Sequence, residues 1–255
     1  MSSLMLHHHP LSVCSMKVRL ALEEKGLAWS GRIIDIMRKQ DQLEPWYLKL
    51  NPKGVIPTLE FRNGTTEVLT DSAQIIRFIA SLSLGNTLLP QDESGHQLID
   101  RLINFADDID LQILSYARHP SMDKSEKILN ARITKSLLMA EKHPEFKDNY
   151  RVCAERSENS KTFRVDIKHI EDVEHRALES IKFVEKQLQG NSFLVGNRYT
   201  LADVIWTVVL SRLDLLGYSQ WLNKDAFPQV SSYYLKMQHR KSYTLAQIQN
   251  EWWDK

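Results

Sequence analysis

The chain has 255 residues, of which 42% are hydrophobic and 25% charged, a balance that fits a folded globular chain and excludes collagen-like and low-complexity classes. Lys and Arg number 33 against 32 Asp and Glu, so the net charge of +1 gives no broad electrostatic reason to bind nucleic acid or an anionic membrane. A chain of this length predicts one large or two small domains whose core needs neither metal nor disulfide.

The first elements alternate between strand and helix. Leu4-Met5-Leu6, ended by Pro10, predicts a buried strand. His7-His8-His9 falls inside that pattern and carries little weight as a metal site. A helix then runs through Val18, Leu20, Ala21 and Leu22 and stops at Gly26. Ile33-Ile34-Asp35-Ile36 predicts a second strand. After a segment of uncertain structure, Val55 to Phe61 and Glu67 to Leu69 predict two strands joined at Asn63-Gly64. Asp71-Ser72 then starts a helix with apolar positions Ile75, Ile76, Phe78, Ile79 and Leu82.

From Leu102 onward the pattern is helical. One segment runs from Leu102 to Leu114, another from Ile128 to Ala140, and Val173 to Leu188 ends at Gly190. Thr200-Leu201-Ala202-Asp203 sets a hydroxyl three residues before an acid, a capping box opening a very apolar helix toward Gly217. A helix apolar all round belongs in a domain centre. Pro228 precedes one more helix. Glu141 to Lys168 is highly charged with weak periodicity, and two readings stand: a solvated helix followed by a mobile loop, or a surface that meets a partner or covers a site. No apolar run is long enough for a membrane helix or a signal peptide.

Three short segments can carry chemistry. Ser12, Cys14 and Ser15 lie between a strand end and a helix start, where free amides and the helix dipole favour an anion. A thiol there can be shifted toward thiolate, and Lys17 and Arg19 add positive charge; the competing reading is an inert, buried Cys behind a capping serine. Pro57 interrupts an apolar strand, marking a plain edge or a cis turn that would turn the Ile56 backbone outward to pair with a peptide-like ligand. Asp71-Ser72 is a simple cap or a seat for a carboxylate and an amine. Cys153 lies in the charged stretch with no helix-start context and reads as incidental. Two cysteines exclude a disulfide framework and a two-thiol redox cycle, and they suit a cytoplasmic setting.

Taken together, these segments resemble the glutathione S-transferase superfamily over nearly the whole chain. The carriers are His8 through Gly26, Asn51-Pro52 with Val55-Ile56-Pro57-Thr58-Leu59, Asp71-Ser72 with Ile75-Ile76, and Thr200 through Asp203. Ser-Val-Cys-Ser at the turn is similar to the zeta class and to the tetrachlorohydroquinone dehalogenases. The charged insertion near 141–168 is similar to theirs and to that of the ganglioside-induced differentiation-associated proteins, whose membrane tail is not expected here. The resemblance implies an α/β thioredoxin-like domain over 1–85 that binds glutathione, an all-α domain over 92–255, and a homodimer. Cys14 and Ser12 would be catalytic. Val55, Ile56 and Pro57 would hold the cysteinyl part of glutathione, and Asp71 and Ser72 its γ-glutamyl end. Val55 stands where zeta enzymes often carry glutamine, which leaves the glycine end without an assigned anchor. The expected reaction is on a small electrophile, met near Tyr116: conjugation, reductive dehalogenation or deglutathionylation, or isomerisation. No metal, nucleic acid or membrane partner is expected. The rival is a non-catalytic binding module of the same fold, suggested by the charged insertion and Trp252-Trp253.

Overall fold

A computed structural model describes residues 4–119 and 122–248. Trp252-Trp253 lies outside the described residues. In chain order the elements begin with β1 (Leu4–His8), α1 (Val13–Lys25), β2 (Ser30–Ile33), α2 (Pro45–Leu50), β3 (Thr58–Asn63), β4 (Thr65–Leu69) and α3 (Ser72–Ser81). The strands form one sheet in the order β2-β1-β3-β4, with β1 and β2 parallel and the other pairs antiparallel.

Alternation along β1 sends its side chains to two sides of the sheet. Leu4 and Leu6 are buried in the large core with α1 and α3. His7 faces the other way, against the Trp46 and Tyr47 rings of α2. The three histidines therefore diverge. His7 Nε2 meets Glu60, His8 Nδ1 meets Arg19, and His9 Nδ1 accepts the Leu11 amide at 3.2 Å.

Two strands are displaced from the apolar runs that suggested them: β2 lies three residues earlier than Ile33-Ile34-Asp35-Ile36, and β3 three residues later than a start at Val55. β2 ends at Ile33 because the Asp35 carboxylate accepts the Met37 and Arg38 amides at 3.0 and 2.8 Å and turns the chain. β3 begins only at Thr58. The preceding Ile56–Pro57 peptide is cis, and the Val55 carbonyl is held by Tyr47 Oη at 2.8 Å and Asn51 Nδ2 at 2.7 Å.

The rest is helical: α4 (Glu93–Asp107), α5 (Leu111–Arg118), α6 (Met122–Lys142), α7 (Lys147–Phe163), α8 (Ile167–Gln187), α9 (Leu201–Leu215), α10 (Pro228–Gln238) and α11 (Lys241–Leu245). The segment expected as one helix through Leu114 is two, because Asp110 caps a new one by accepting the Ile113 amide at 2.9 Å. The mobile loop expected after Glu141 is instead α7, paired with α6.

α9 is the central helix. Every residue from Leu201 to Leu213 is buried, and Trp206 donates from Nε1 to the Leu102 carbonyl at 3.0 Å. Asp203 is fully buried at its start, accepting from the Leu194 and Thr200 amides, Thr200 Oγ1 and Tyr233 Oη. Among the described residues no helix is long and apolar enough to cross a membrane.

Candidate active site

A cleft of about 450 Å³ opens between the sheet and the helical half. Its first wall is the turn from β1 into α1. Ser12 caps α1, accepting the Ser15 amide at 3.2 Å through Oγ. That bond uses an oxygen lone pair and leaves the hydroxyl proton free to donate. Val13 and Cys14 occupy the first two helical positions, where the amides have no intrahelical acceptor, and no other described group accepts from them. Cys14 is exposed, with its thiol beside those amides at the positive end of the α1 dipole.

The turn is held from behind. Arg19 does not add charge at the sulfur, as its place in the sequence suggested. It is buried and donates to the carbonyls of His9 (3.2 Å), Pro10 (3.0 Å), Ala246 (2.8 Å) and Gln247 (3.3 Å). Lys17 lines the cleft but is paired with Asp107 at 3.2 Å. Burial lowers His8 and His9 from 6.5 to about 4, so both rings are neutral at physiological pH.

The second wall is the segment before β3. Val55 and Ile56 line the cleft, and the Ile56 N–H and C=O have no partner in the described chain. An unpaired edge of this kind can take an extended peptide. The third wall comes from α5, α6 and α7. Tyr116 lines it, with Arg132, Cys153 and Arg156. Cys153, which the sequence marked as incidental, is buried, and burial raises its thiol above the ordinary value, so it stays protonated at neutral pH. Its sulfur donates to the Lys53 carbonyl at 3.4 Å, beside Arg156 Nη1 on the same oxygen at 3.0 Å, while Asn149 Nδ2 reaches the Pro52 carbonyl at 2.9 Å. Gly54 is required at this contact. Its φ is +60°, and a Cβ there would meet the Cys153 sulfur at 2.8 Å.

The structure thus brings Ser12, Cys14, Val55 and Ile56 to one cleft. Pro57 supplies the cis bend beside them. Asp71 and Ser72 are not part of that lining. They stand at the start of α3, where Asp71 Oδ1 accepts the Gln74 amide at 3.0 Å. Arg132, Arg156 and Arg212 also line the cleft and were not singled out from the sequence. Each donates to a backbone carbonyl distant in sequence, which no local pattern reveals, and Arg132 also reaches Gln40 Oε1 and Tyr116 Oη.

A family model described as the glutathione S-transferase N-terminal domain matches residues 11–82, and one described as the C-terminal domain matches 155–241. The chain is 28% identical over 252 residues to the tetrachloro-p-hydroquinone reductive dehalogenase of Sphingobium chlorophenolicum, covering 99% of this chain and 98% of that protein. It is 26% identical over 272 residues to the human ganglioside-induced differentiation-associated protein 1-like 1, covering 94% of this chain and 72% of that one. Among solved structures, the beta-etherase LigF from Sphingobium sp. strain SYK-6 matches with a TM-score of 0.74 at 21% identity, over 95% of this chain and 98% of that one, a likeness of fold.

Proposed function

The chain belongs to the glutathione S-transferase family, and on that premise we propose that it joins glutathione to a small halogenated electrophile and then removes the glutathionyl group through Cys14. The observation that carries this reading is the shared cleft of Ser12, Cys14 and Ile56. Residues 1–85 would bind glutathione and residues 92–255 the electrophile.

The protein is an enzyme of the glutathione S-transferase type, with glutathione as its thiol cosubstrate. The unpaired Ile56 backbone pairs with the cysteinyl unit of glutathione. The free Val13 and Cys14 amides and the Ser12 hydroxyl then stabilise its sulfur as the anion. The α3 start offers free amides to the γ-glutamyl carboxylate, and Asp71 faces its amine.

The glutathione thiolate attacks the carbon bearing halide, a C–S bond forms and halide leaves. The Cys14 thiolate next attacks the glutathionyl sulfur. The S–S bond of a mixed disulfide forms, the C–S electron pair returns to carbon, and carbon takes a proton. A second glutathione thiolate frees Cys14 and departs as glutathione disulfide. In sum one C–Cl becomes C–H, chloride is released, and two glutathiones are oxidised. The similarity to a reductive dehalogenase supports this sequence.

The test follows chloride, glutathione adduct and glutathione disulfide with a chlorinated hydroquinone. Cys14→Ala is expected to accumulate the adduct and stop disulfide release. Ser12→Ala is expected to slow adduct formation by ~100-fold, the usual loss of one anion-stabilising donor. Unchanged product ratios and rates in both variants would refute the assigned roles. Family membership also supports a cytoplasmic homodimer, read by light scattering as twice the chain mass.

A further inference from the structure

Two buried arginines bear on the active-site turn, Arg19 at 2% and Arg212 at 3% exposure, and neither makes an ion pair among the described residues. Desolvated charge without a partner is costly, so each needs compensation. Arg19 has it: its donors reach four carbonyls and His8 Nδ1, five acceptors for the five N–H groups of a guanidinium. Arg212 does not. It lines the cleft and has one bond, from Nη2 to the Leu11 carbonyl at 2.5 Å.

The nearby acids do not supply the missing charge. Asp107 is paired with Lys17, Asp110 caps α5, and Asp108 is exposed. The other cleft arginines differ in degree: Arg132 and Arg156 are half-buried and more open to water than Arg212, whose remaining nitrogens are not fully enclosed and open on the cleft it lines. Burial lowers Arg212 to about 10, which still leaves it charged at neutral pH. A planar guanidinium with free N–H groups matches an oxyanion better than any neutral group.

We propose that Arg212 determines specificity in the electrophile site by receiving an ionised oxygen of the substrate, a carboxylate or phenolate. The proposal rests on the transferase reading, which places the electrophile in this cleft. Arg212 holds the carbonyl directly before Ser12, so an anion seated on it lies beside the reacting sulfur.

The test uses a matched pair, 4-chloro-3,5-dinitrobenzoate and its neutral carboxamide. Each is titrated into the wild-type protein saturated with unreactive S-methylglutathione, and turnover of each with glutathione is measured separately. The benzoate is expected to bind at least 10-fold tighter than the amide. Arg212→Gln keeps a donor for the Leu11 carbonyl and removes the charge; it should lower the benzoate-to-amide ratio of kcat/KM by at least 10-fold. Arg212→Lys should restore most of that ratio. Equal binding of the pair to wild type refutes the proposal even if both variants fail to fold. So does an Arg212→Gln variant that raises the KM for glutathione and leaves the ratio unchanged, because the anion is then a carboxylate of glutathione. Absence of turnover of both compounds by wild type would count against the transferase reading, while the binding comparison would still decide the role of Arg212.

Discussion

Ser12 and His9 shape the reactive turn by taking amides through atoms that must be lone-pair acceptors. Ser12 Oγ accepts the Ser15 amide, and His9 Nδ1 accepts the Leu11 amide. The His9 bond exists only while that nitrogen is unprotonated, and burial keeps it so by lowering His9 to about 4, as it does His8. A base whose folded pKa lies below its unfolded 6.5 gives stability present above about pH 6.5 and lost as pH falls toward 4. Asp203 opposes this. Burial pushes it up to about 6, so its share of stability is largest near pH 4 and shrinks as pH rises through 6. Two histidines against one carboxyl leave a net loss of about 3 kcal/mol on acidification from pH 6.5 to 4. Urea unfolding at a series of pH values should show that loss, and His8→Gln should remove nearly all of it, because the remaining histidine and Asp203 then almost cancel. A wild-type stability that is flat or rises toward pH 4 would contradict the assignment.

α7 shows how an element becomes invisible to periodicity. Its buried positions are Tyr150, Cys153, Ala154, Ser157 and Ser160, a helical spacing filled almost entirely by small or polar residues. Hydrophobic patterning looks for large apolar side chains at that spacing and finds charge around them. The elements with strong local chemistry were legible: Gly26 ends α1 in the left-handed conformation, Asp71 caps α3, and Thr200 with Asp203 forms the capping box of α9. The turn of Ser12 and Cys14 was legible for the same reason. Its arginine supports were not, because Arg212 reaches Leu11 across 201 positions. Residues 83–154 lie outside both matched family models, and that stretch supplies α6 and the start of α7 with Asn149 and Cys153, while Arg156 stands just inside the C-terminal match. Lys135 holds the Lys39 and Gln40 carbonyls from α6, as Asn149, Cys153 and Arg156 hold Pro52 and Lys53 from α7. The helix pair thereby fixes the segment leading to Val55 and Ile56. Arg156→Ala leaves the Lys53 carbonyl with only the weak Cys153 thiol as donor, and the loss of a bond from a charged donor is worth about 1.5–3 kcal/mol. Glutathione affinity should fall by ~10-fold with kcat at saturation nearly kept, read by titration and steady-state kinetics; unchanged affinity would leave the insertion without this role.

At the scale of the whole molecule the two halves share their interior. One buried cluster runs from Leu4 and Leu6 of β1 through Val18 and Leu22 of α1 to Trp206 of α9 and Tyr243 of α11. α1 packs against α3 on one side and α9 and α11 on the other. A charged clamp crosses the same boundary: Arg240 donates from Nε and Nη2 to the two Glu24 oxygens at 2.6 Å each, and Ser242 Oγ also bonds Glu24. Glu24 is 6% exposed, so removing it strands a half-buried guanidinium and should cost about 3–5 kcal/mol. A core continuous across both halves also requires that they unfold together. Trp29 and Trp46 report on the sheet half and Trp206 on the helical half, so wild-type denaturation followed by tryptophan fluorescence should coincide with loss of helical circular dichroism. Glu24→Ala should move that single transition to lower denaturant without splitting it. Two separated transitions would mean that the sheet half and the helices are stable apart, and that the cleft between them is held by the clamp rather than by the shared core.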